Sequence, residues 1–496
     1  MRFEKSSRMS QRADPSHTAA GQPIPEESRH VIARLDRLRT WALSPMFLVI
    51  IGLGFLFTFY DIFDINVSFV QTCPQLVAGC TPQNALSSLK LPTVLNLAGF
   101  VVGTLALSPV ADRIGRRSML LITMLITGLG SLYTALSPDY ANFVVSRVIT
   151  GIGIGADLAI VNTYINEVSP QRSRAKFATV IFVNSALGAF FGIWLGLLLT
   201  TMKAPWPSGL PFALGSATFT DGWRWMYGIG ALLALVAILL RFELPESPRW
   251  LLQRGRTAAA KKITEHMEQR AARRHPLTEP SLAHVPAEWA PRRRMPFIDL
   301  FTNPVYLRRI IVLFFMWFAG YITVYAYSAG FTSVLTSLKF SPPEAGVITA
   351  VGTFGFLGEA IAMSFLVEKL ERRYWLPIAT VVTFAGAILV AAAGTAIALA
   401  FIGSILIFAG FNLWVSPSYA MTAENFPTRA RSTGFAIVDG VGHIGGGIGI
   451  LVLAPFLPHL SVLGALLLIS SFLIVASILA QFTVHTRDRE LERVSP

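Results

Sequence analysis

Asp61 and Asp64 interrupt an otherwise apolar stretch, Phe47 to Phe69. Three positions apart, they project from one face of a helix. Asp439 and His443, four apart, share a face of a second apolar stretch, Phe435 to Leu457. Arg147 and Asp157 stand in a third, and Glu359 in a fourth. In a bilayer an ionisable side chain costs several kcal/mol unless it is paired or watered, so each marks a functional hypothesis. A carboxyl that takes up a proton at one membrane face and releases it at the other could drive uphill transport. Asp61 is best placed for that role. Asp64 is a second proton site, a solute contact, or a group near the outer end. Asp157 either hydrogen-bonds a neighbouring helix or touches solute or proton. Asp439 and His443 form a relay or a solute contact, with packing as the plainer alternative for the imidazole.

Neutral groups add to this set. Tyr321 and Tyr325 share a face, one turn beyond Trp317. Their rings can stack on a planar solute or hold a cation, or simply pack. Asn184 and Asn412 are mid-stretch amides, able to contact solute or to bridge helices. The chain has no Gly-Lys-Ser/Thr phosphate loop and no His/Cys cluster. An enzyme, an ATP-driven pump and a metal or other cofactor are therefore not expected.

The elements that must position these groups are transmembrane helices. Apolar runs near the 20 residues needed to cross a bilayer recur about twelve times. Six fall between Phe47 and Phe242 and six between Ile310 and Phe482. The composition agrees: 53% of the 496 residues are hydrophobic and 14% charged, against about 25% charged in soluble domains. The expected fold is all-α and membrane-embedded, with twelve helices in two six-helix bundles. The organisation reads as a cytoplasmic tail (1–45), an N-terminal bundle (46–242), a cytoplasmic linker with short helices (243–305), a C-terminal bundle (306–483) and a cytoplasmic tail (484–496). Within the linker, Arg256 to Arg274 reads as a basic helix.

Lys and Arg concentrate in the first tail (Arg29, Arg34, Arg37, Arg39) and in the loops after the second, fourth, eighth and tenth runs. The opposite loops hold little more than Lys90, Lys203, Arg224 and Lys339. Both termini are then cytoplasmic, in a cell membrane. This placement accounts for the net charge of +13 without a nucleic-acid partner. Residues 1–40 lack the apolar core of a signal peptide. Cys73 and Cys80 lie in the first outward loop, free or bridged.

The loops carry a resemblance. SPVADRIGRR (Ser108 to Arg117) is similar to the signature loop of the major facilitator superfamily, and SFLVEKLERR (Ser364 to Arg373) is a degenerate second copy. RVITGIGIGADLAIVNTYINEVSP (Arg147 to Pro170), PESPRWLL (Pro245 to Leu252) and AENFPTRARSTG (Ala423 to Gly434) resemble the sugar-porter branch. Phe59-Tyr60-Asp61-Ile62 is similar to the Tyr-Asp-Ile of its proton-coupled members. The hexose-holding residues of that branch are replaced: Met316-Trp317 for Gln-Gln, Ile322 for Asn, Asn184 for the fifth-span Gln and Tyr419 for the tenth-span Trp. Closer similarity is to the neighbouring metabolite–proton symporters, which move aromatic acids and other small molecules.

The resemblance implies an Arg147–Asp61 pair that makes and breaks as the halves rock. It implies a gating network of Asp112, Arg113, Arg116 and Arg117 with Glu167, Arg174, Glu246 and Arg249. The mirror set is Glu368, Arg372, Glu424 and Arg431. Their ion pairs would join the halves in the outward-open state.

The expected function is symport of protons with a small organic metabolite, sugar-like or an aromatic or organic acid, by a monomer in the lipid bilayer. An antiporter exporting organic cations or drugs is the alternative, and a non-transporting sensor the more remote one.

Overall fold

The computed structural model describes residues 23–38, 41–169, 174–282, 285, 300–367, 369–394, 396–426 and 431–485. Among these residues twelve helices are long and apolar enough to cross a membrane. Six precede the linker, ending with Gly222–Arg241, and six follow it, beginning with Pro304–Ser328. Leu129, Leu232, Val381 and Ile478 stand exposed around the outside, as a lipid-facing surface requires.

Small residues set the helix spacing. A Cβ on Gly151 or Gly155 of the fourth span would strike the backbone carbonyl of Asn96 or Phe100 on the second. The Gly-rich stripe is therefore first a packing surface, bringing two backbones into contact where lipid supplies no hydrophobic drive. Gly355 on the eighth span plays the same part against Ile405 of the tenth.

Four spans depart from unbroken helices, among them the tenth, which turns at Trp414 between Ile397–Leu413 and Val415–Glu424. The first, Pro45–Phe63, continues through Asp64 into Ile65–Leu76, past the expected end at Phe69. The side chain of Gln75 carries it outward, donating to the Thr220 carbonyl and accepting from Trp223 Nε1. The seventh span stops at Ser328 and resumes as Phe331–Ser337 after Gly330. The eleventh contains a π turn, Ala436–Gly440, before Ile444–Leu453. π turns inside α-helices often mark functional positions.

One end of the bundle carries the helix Glu26–Asp36, the linker helices and the end of the last span; the other carries the Cys73–Cys80 disulfide. At the terminal end Pro248–Gln253 and Thr257–Ala272 form the linker helices, the second shorter than the expected Arg256–Arg274. A further helix before the first span, Glu26–Asp36, packs on Thr257–Ala272. Its Val31, Ile32 and Leu35 are buried with Met267 and Ala271.

The halves meet through the fifth and eighth spans, through the second and eleventh, and through the short helices Ile65–Leu76 and Phe331–Ser337.

Candidate transport site

Asp61, Asp64 and Arg147 meet inside the N-terminal half. Arg147 donates from Nη1 to Asp61 Oδ1 at 2.8 Å and from Nη2 to the Asp61 carbonyl at 2.8 Å. Asp64 Oδ1 lies 3.7 Å from the same Nη1. The guanidinium sits over the Tyr227 ring, 5.5 Å from its centroid. Asp61 and Asp64 are fully buried and Arg147 is 2% exposed. Asp61 Oδ2 and both carboxylate oxygens of Asp64 find no hydrogen-bond donor among the described residues. Two carboxyls thus share one guanidinium, which can neutralise one of them.

These carboxyls face the fourth and sixth spans, not the other half. Other side chains of the same span make the crossing: Phe59 and Phe63 meet Phe356 at ring-centroid distances of 6.5 and 5.8 Å. Asn66 goes further. Its Nδ2 donates to the carbonyls of Tyr327 and Ser328 at 2.9 and 2.7 Å, and its Oδ1 accepts from Thr332 N and Oγ1 at 3.0 and 2.8 Å. One buried amide therefore uses its full bonding capacity on the break in the seventh span.

Asp157 is placed away from the interface between halves. Arg241 of the sixth span grips it with two contacts, 2.5 Å to Oδ1 and 3.0 Å to Oδ2, and also donates to the Leu120 carbonyl. Thr123 donates to Oδ1 at 2.8 Å and Thr58 to Oδ2 at 3.5 Å. Both members of the pair are fully buried. Of the two readings of Asp157, the geometry matches the interhelical one, because its acceptors are already filled. Asn184 lies against Gly52 within the same half, donating to the Val180 carbonyl at 3.3 Å.

The C-terminal half contributes an aromatic cluster around Asp439. Tyr321 donates its hydroxyl to Asp439 Oδ1 at 2.6 Å. His443 Nδ1 is 2.8 Å from the Asp439 carbonyl; a carbonyl only accepts, so that nitrogen carries the hydrogen and Nε2 is left as the free ring atom. The imidazole lies between Tyr321 and Phe100, with centroids at 3.9 and 4.1 Å. Phe100 belongs to the second span, so the stack crosses between halves. Trp317 is sandwiched by Tyr321 and Tyr419 at 5.1 Å each, with Trp414 beside it at 4.8 Å. Gly442 and Gly446 let this face close: a Cβ there would strike Trp317 or Tyr325. Asn412 is buried and donates along its own helix to the Phe408 carbonyl at 3.1 Å.

The terminal-end motifs pair within each half. Arg116 reaches Glu167 Oε1 at 2.8 Å and Asp112 Oδ1 at 2.9 Å. Burial raises the Glu167 carboxyl above the usual range, opposed by the Arg116 charge. Glu246 Oε1 accepts from the backbone N–H groups of Arg116, Arg117 and Ser247 at 3.0, 3.3 and 2.9 Å. An anion thus caps the third-span helix at its positive end. Gly115 makes this turn with φ of 104°, where a side chain would be strained and would strike Glu246. The Arg113 carbonyl accepts from Arg254. Arg249 pairs with Asp36 at 2.5 Å, reaching the first-tail helix and not the signature loop. Arg372 lies 3.9 Å from Glu424. The expectation of pairing between halves is thus corrected for Asp112, Arg116 and Glu167, which are joined inside the N-terminal half, and for Arg249, which goes to the first-tail helix. Glu368 lies outside the described residues, as do the side chains of Arg174 and Arg431.

Sequence reasoning passes over Asn66 and Arg241. Asn66 had one signal, a polar amide in an apolar run; Arg241 had one too, a cation just inside the end of the sixth run.

Comparison with known proteins places this geometry. The family model described as "Sugar (and other) transporter" matches residues 46–496. The chain is 26% identical over 358 residues to the myo-inositol transporter FST1 of Gibberella moniliformis, covering 69% of this chain but 59% of that protein. It is 26% identical over 425 residues to the 4-hydroxybenzoate transporter PcaK of Pseudomonas aeruginosa, covering 84% of this chain and 87% of PcaK. The fold matches the MFS (major facilitator superfamily) proton:xylose symporter XylE bound to 6-bromo-6-deoxy-D-glucose, with a TM-score of 0.66 and 21% identity over 94% of this chain and 99% of that one. With twelve membrane-length helices among the described residues and a family match running from the first span onward, this chain belongs to the sugar (and other) transporter family.

Proposed function

We propose that this transporter is a proton-coupled symporter of a small organic metabolite, sugar-like or an aromatic or organic acid. It works by alternating access, as a monomer in the cell membrane with both termini in the cytoplasm. One observation carries the reading: buried Asp61 and Asp64 meet the single cation Arg147. The spare carboxyl needs a proton to be neutral, and separating Arg147 from Asp61 during rocking changes how tightly that proton is held. The similarity to a proton:xylose symporter supports the coupling ion. The similarity to transporters of 4-hydroxybenzoate and myo-inositol brackets the solute. Its site lies between the halves, near the midplane, where Tyr321, Tyr325, Tyr419, Asp439, His443 and Asn412 face it from one half. The motif residues Arg116, Glu167, Glu246, Arg372 and Glu424 gate the terminal end.

The test begins with a thermal-shift screen of purified protein against sugars, hydroxybenzoates, nicotinate and organic cations, since a ligand at 100 times its Kd adds about 2.7 kcal/mol. The hit is then used in proteoliposomes under an imposed pH gradient. Wild type accumulates it uphill; Asp61→Asn loses accumulation but keeps counterflow. Proton entry alongside solute marks symport, and proton movement in the opposite direction marks antiport. Full accumulation by Asp61→Asn removes Asp61 from the role.

A further inference from the structure

Glu359 stands alone. It is 5% exposed, and both its carboxylate oxygens are buried with no hydrogen-bond donor among the described residues. Asp439, by contrast, holds the Tyr321 hydroxyl. The eighth-span helix, Pro342–Leu366, packs on the helices Ile397–Leu413, Arg174–Thr200, Phe331–Ser337 and Ile65–Leu76. The first and third of these contain no titratable residue, and the fourth only the disulfide-bonded Cys73. Arg174–Thr200 has Arg174 and Lys176, both at its terminal-end start and with side chains outside the described residues. The other acid on the Glu359 helix is Glu344, four turns away.

The position has functional geometry. Gly352 faces Ser404 and Phe408, and Gly355 faces Ile405 and Ala409. The eighth and tenth spans run parallel, and that register brings Glu359 level with Asn412. One turn back along the helix, Phe356 meets Phe59, Phe63 and Phe182 of the other half. Glu359 is seven residues from Leu366, about 10 Å from the terminal end of its helix. A bare carboxylate held there costs several kcal/mol, and a bound proton removes the cost.

We propose that Glu359 is a second proton-carrying carboxyl, housed in the C-terminal half beside Asn412, so that each half of the transporter carries its own proton site. Rocking of the eighth span against Phe59 and Phe182 admits water from the terminal end and lets the proton leave; closure returns it. This rests on the proton-coupled reading but concerns a different half and a different side chain.

Infrared difference spectroscopy of the protein in lipid tests it without any solute. Spectra are recorded between about pH 5 and about pH 9, the span over which buried glutamates are known to titrate. The expected result is a protonated-carboxyl carbonyl band that fades as pH rises, shifts in D2O and is lost in Glu359→Gln. Glu359→Asp, which retains a carboxyl, should keep a displaced band, and size-exclusion chromatography verifies that both variants are folded. If Glu359→Gln removes only ionised-carboxylate bands, or a protonated band that never responds to pH, the proposal is overturned. Asp61→Asn serves as the other arm. A titrating band lost there but not in Glu359→Gln sinks this proposal and leaves coupling at Asp61 standing; the reverse sinks the Asp61 reading alone.

Discussion

Asp61 and Asn66 stand on opposing faces of the first span, on either side of its turn at Asp64. Five residues at 100° each put them roughly 140° apart. Asp61 faces Arg147 within its own half, while Asn66 faces the broken seventh span of the other. A rotation or tilt of this span therefore moves the Asp61–Arg147 pair and the contact between halves together. That linkage is mechanical, because nothing needs to pass directly between the carboxyl and the opposite bundle.

The Asn66 contact should behave as a latch at the disulfide end. Asn66→Ala removes four hydrogen bonds to a helix break, each worth about 0.5–1.5 kcal/mol net. With partial replacement by water, a loss of about 2 kcal/mol is expected, a shift of roughly thirtyfold in the closed-to-open ratio. Hydrogen exchange of the segment Phe331–Ser337 should accelerate accordingly, and Thr332→Val should give part of the effect. Unchanged exchange in both variants would show that packing around Phe331 and Leu335 holds the end shut by itself.

Asp157 and Arg241 make a different kind of prediction. Arg241→Met leaves a buried carboxylate without its cation, which costs about 3–5 kcal/mol. Asp157→Leu strands the guanidinium in the same way. The double variant removes both charges and should recover most of the loss, as buried pairs replaced by apolar groups often do. Thermal unfolding in detergent reads all three. A contrary pattern, with unfolding temperature intact and solute affinity lowered by Asp157→Leu, would return Asp157 to the solute site.

Much of this architecture is legible in the sequence, and the exceptions have physical causes. Charges desolvated inside apolar runs stand out, so Asp61, Arg147, Asp439 and His443 announce themselves, and the i, i+4 spacing already puts the last two together. Arg241 does not, because an arginine at the edge of an apolar run reads equally well as a loop cation anchoring the helix end. Asn66 is a neutral amide whose partners come from a helix break some 260 residues further on. Span periodicity gives no warning of that break, since Ser328 to Phe331 is as apolar as its surroundings. Asp157 shows the converse: its signal was real, but a pairing partner outside the expected set turned it inward.

The first-tail helix should dock in a pH-dependent way. Glu268 accepts from Arg34 at 3.1 Å and pairs with Arg37 at 2.5 Å. Partial burial raises its carboxyl, but the hydrogen bonds from Arg34 and Arg37 outweigh that and hold it below the usual range. A lowered carboxyl contributes stability that is complete above its free-chain value and disappears as pH falls through the docked value. The helix should therefore stay docked at neutral pH and detach only in acid below the ordinary glutamate range. Glu268→Gln should release it at neutral pH. Tryptic cleavage between Glu26 and Trp41 should then run several-fold faster than in wild type, approaching the acid-treated rate. Equal cleavage rates would assign the docking to Val31, Ile32 and Leu35 alone.

The shared guanidinium predicts an asymmetry between the two first-span aspartates. Asp61 holds Arg147 through a direct ion pair and through its carbonyl, whereas Asp64 sits at 3.7 Å. In Asp64→Asn the pair survives and one uncompensated acid is gone, so unfolding temperature should hold or rise. In Asp61→Asn the main-chain contact remains and Asp64 is close enough to take over as counter-ion, so the loss should stay within about 1–2 kcal/mol. Arg147→Met has no such substitute among the described residues: two buried acids lose the cation they share, and a loss of about 3–5 kcal/mol is expected. Thermal unfolding of the three variants, ordered Asp64→Asn, Asp61→Asn, Arg147→Met from most to least stable, checks the charge count. If Asp64→Asn were instead the most damaging, Asp64 would be the principal counter-ion of Arg147.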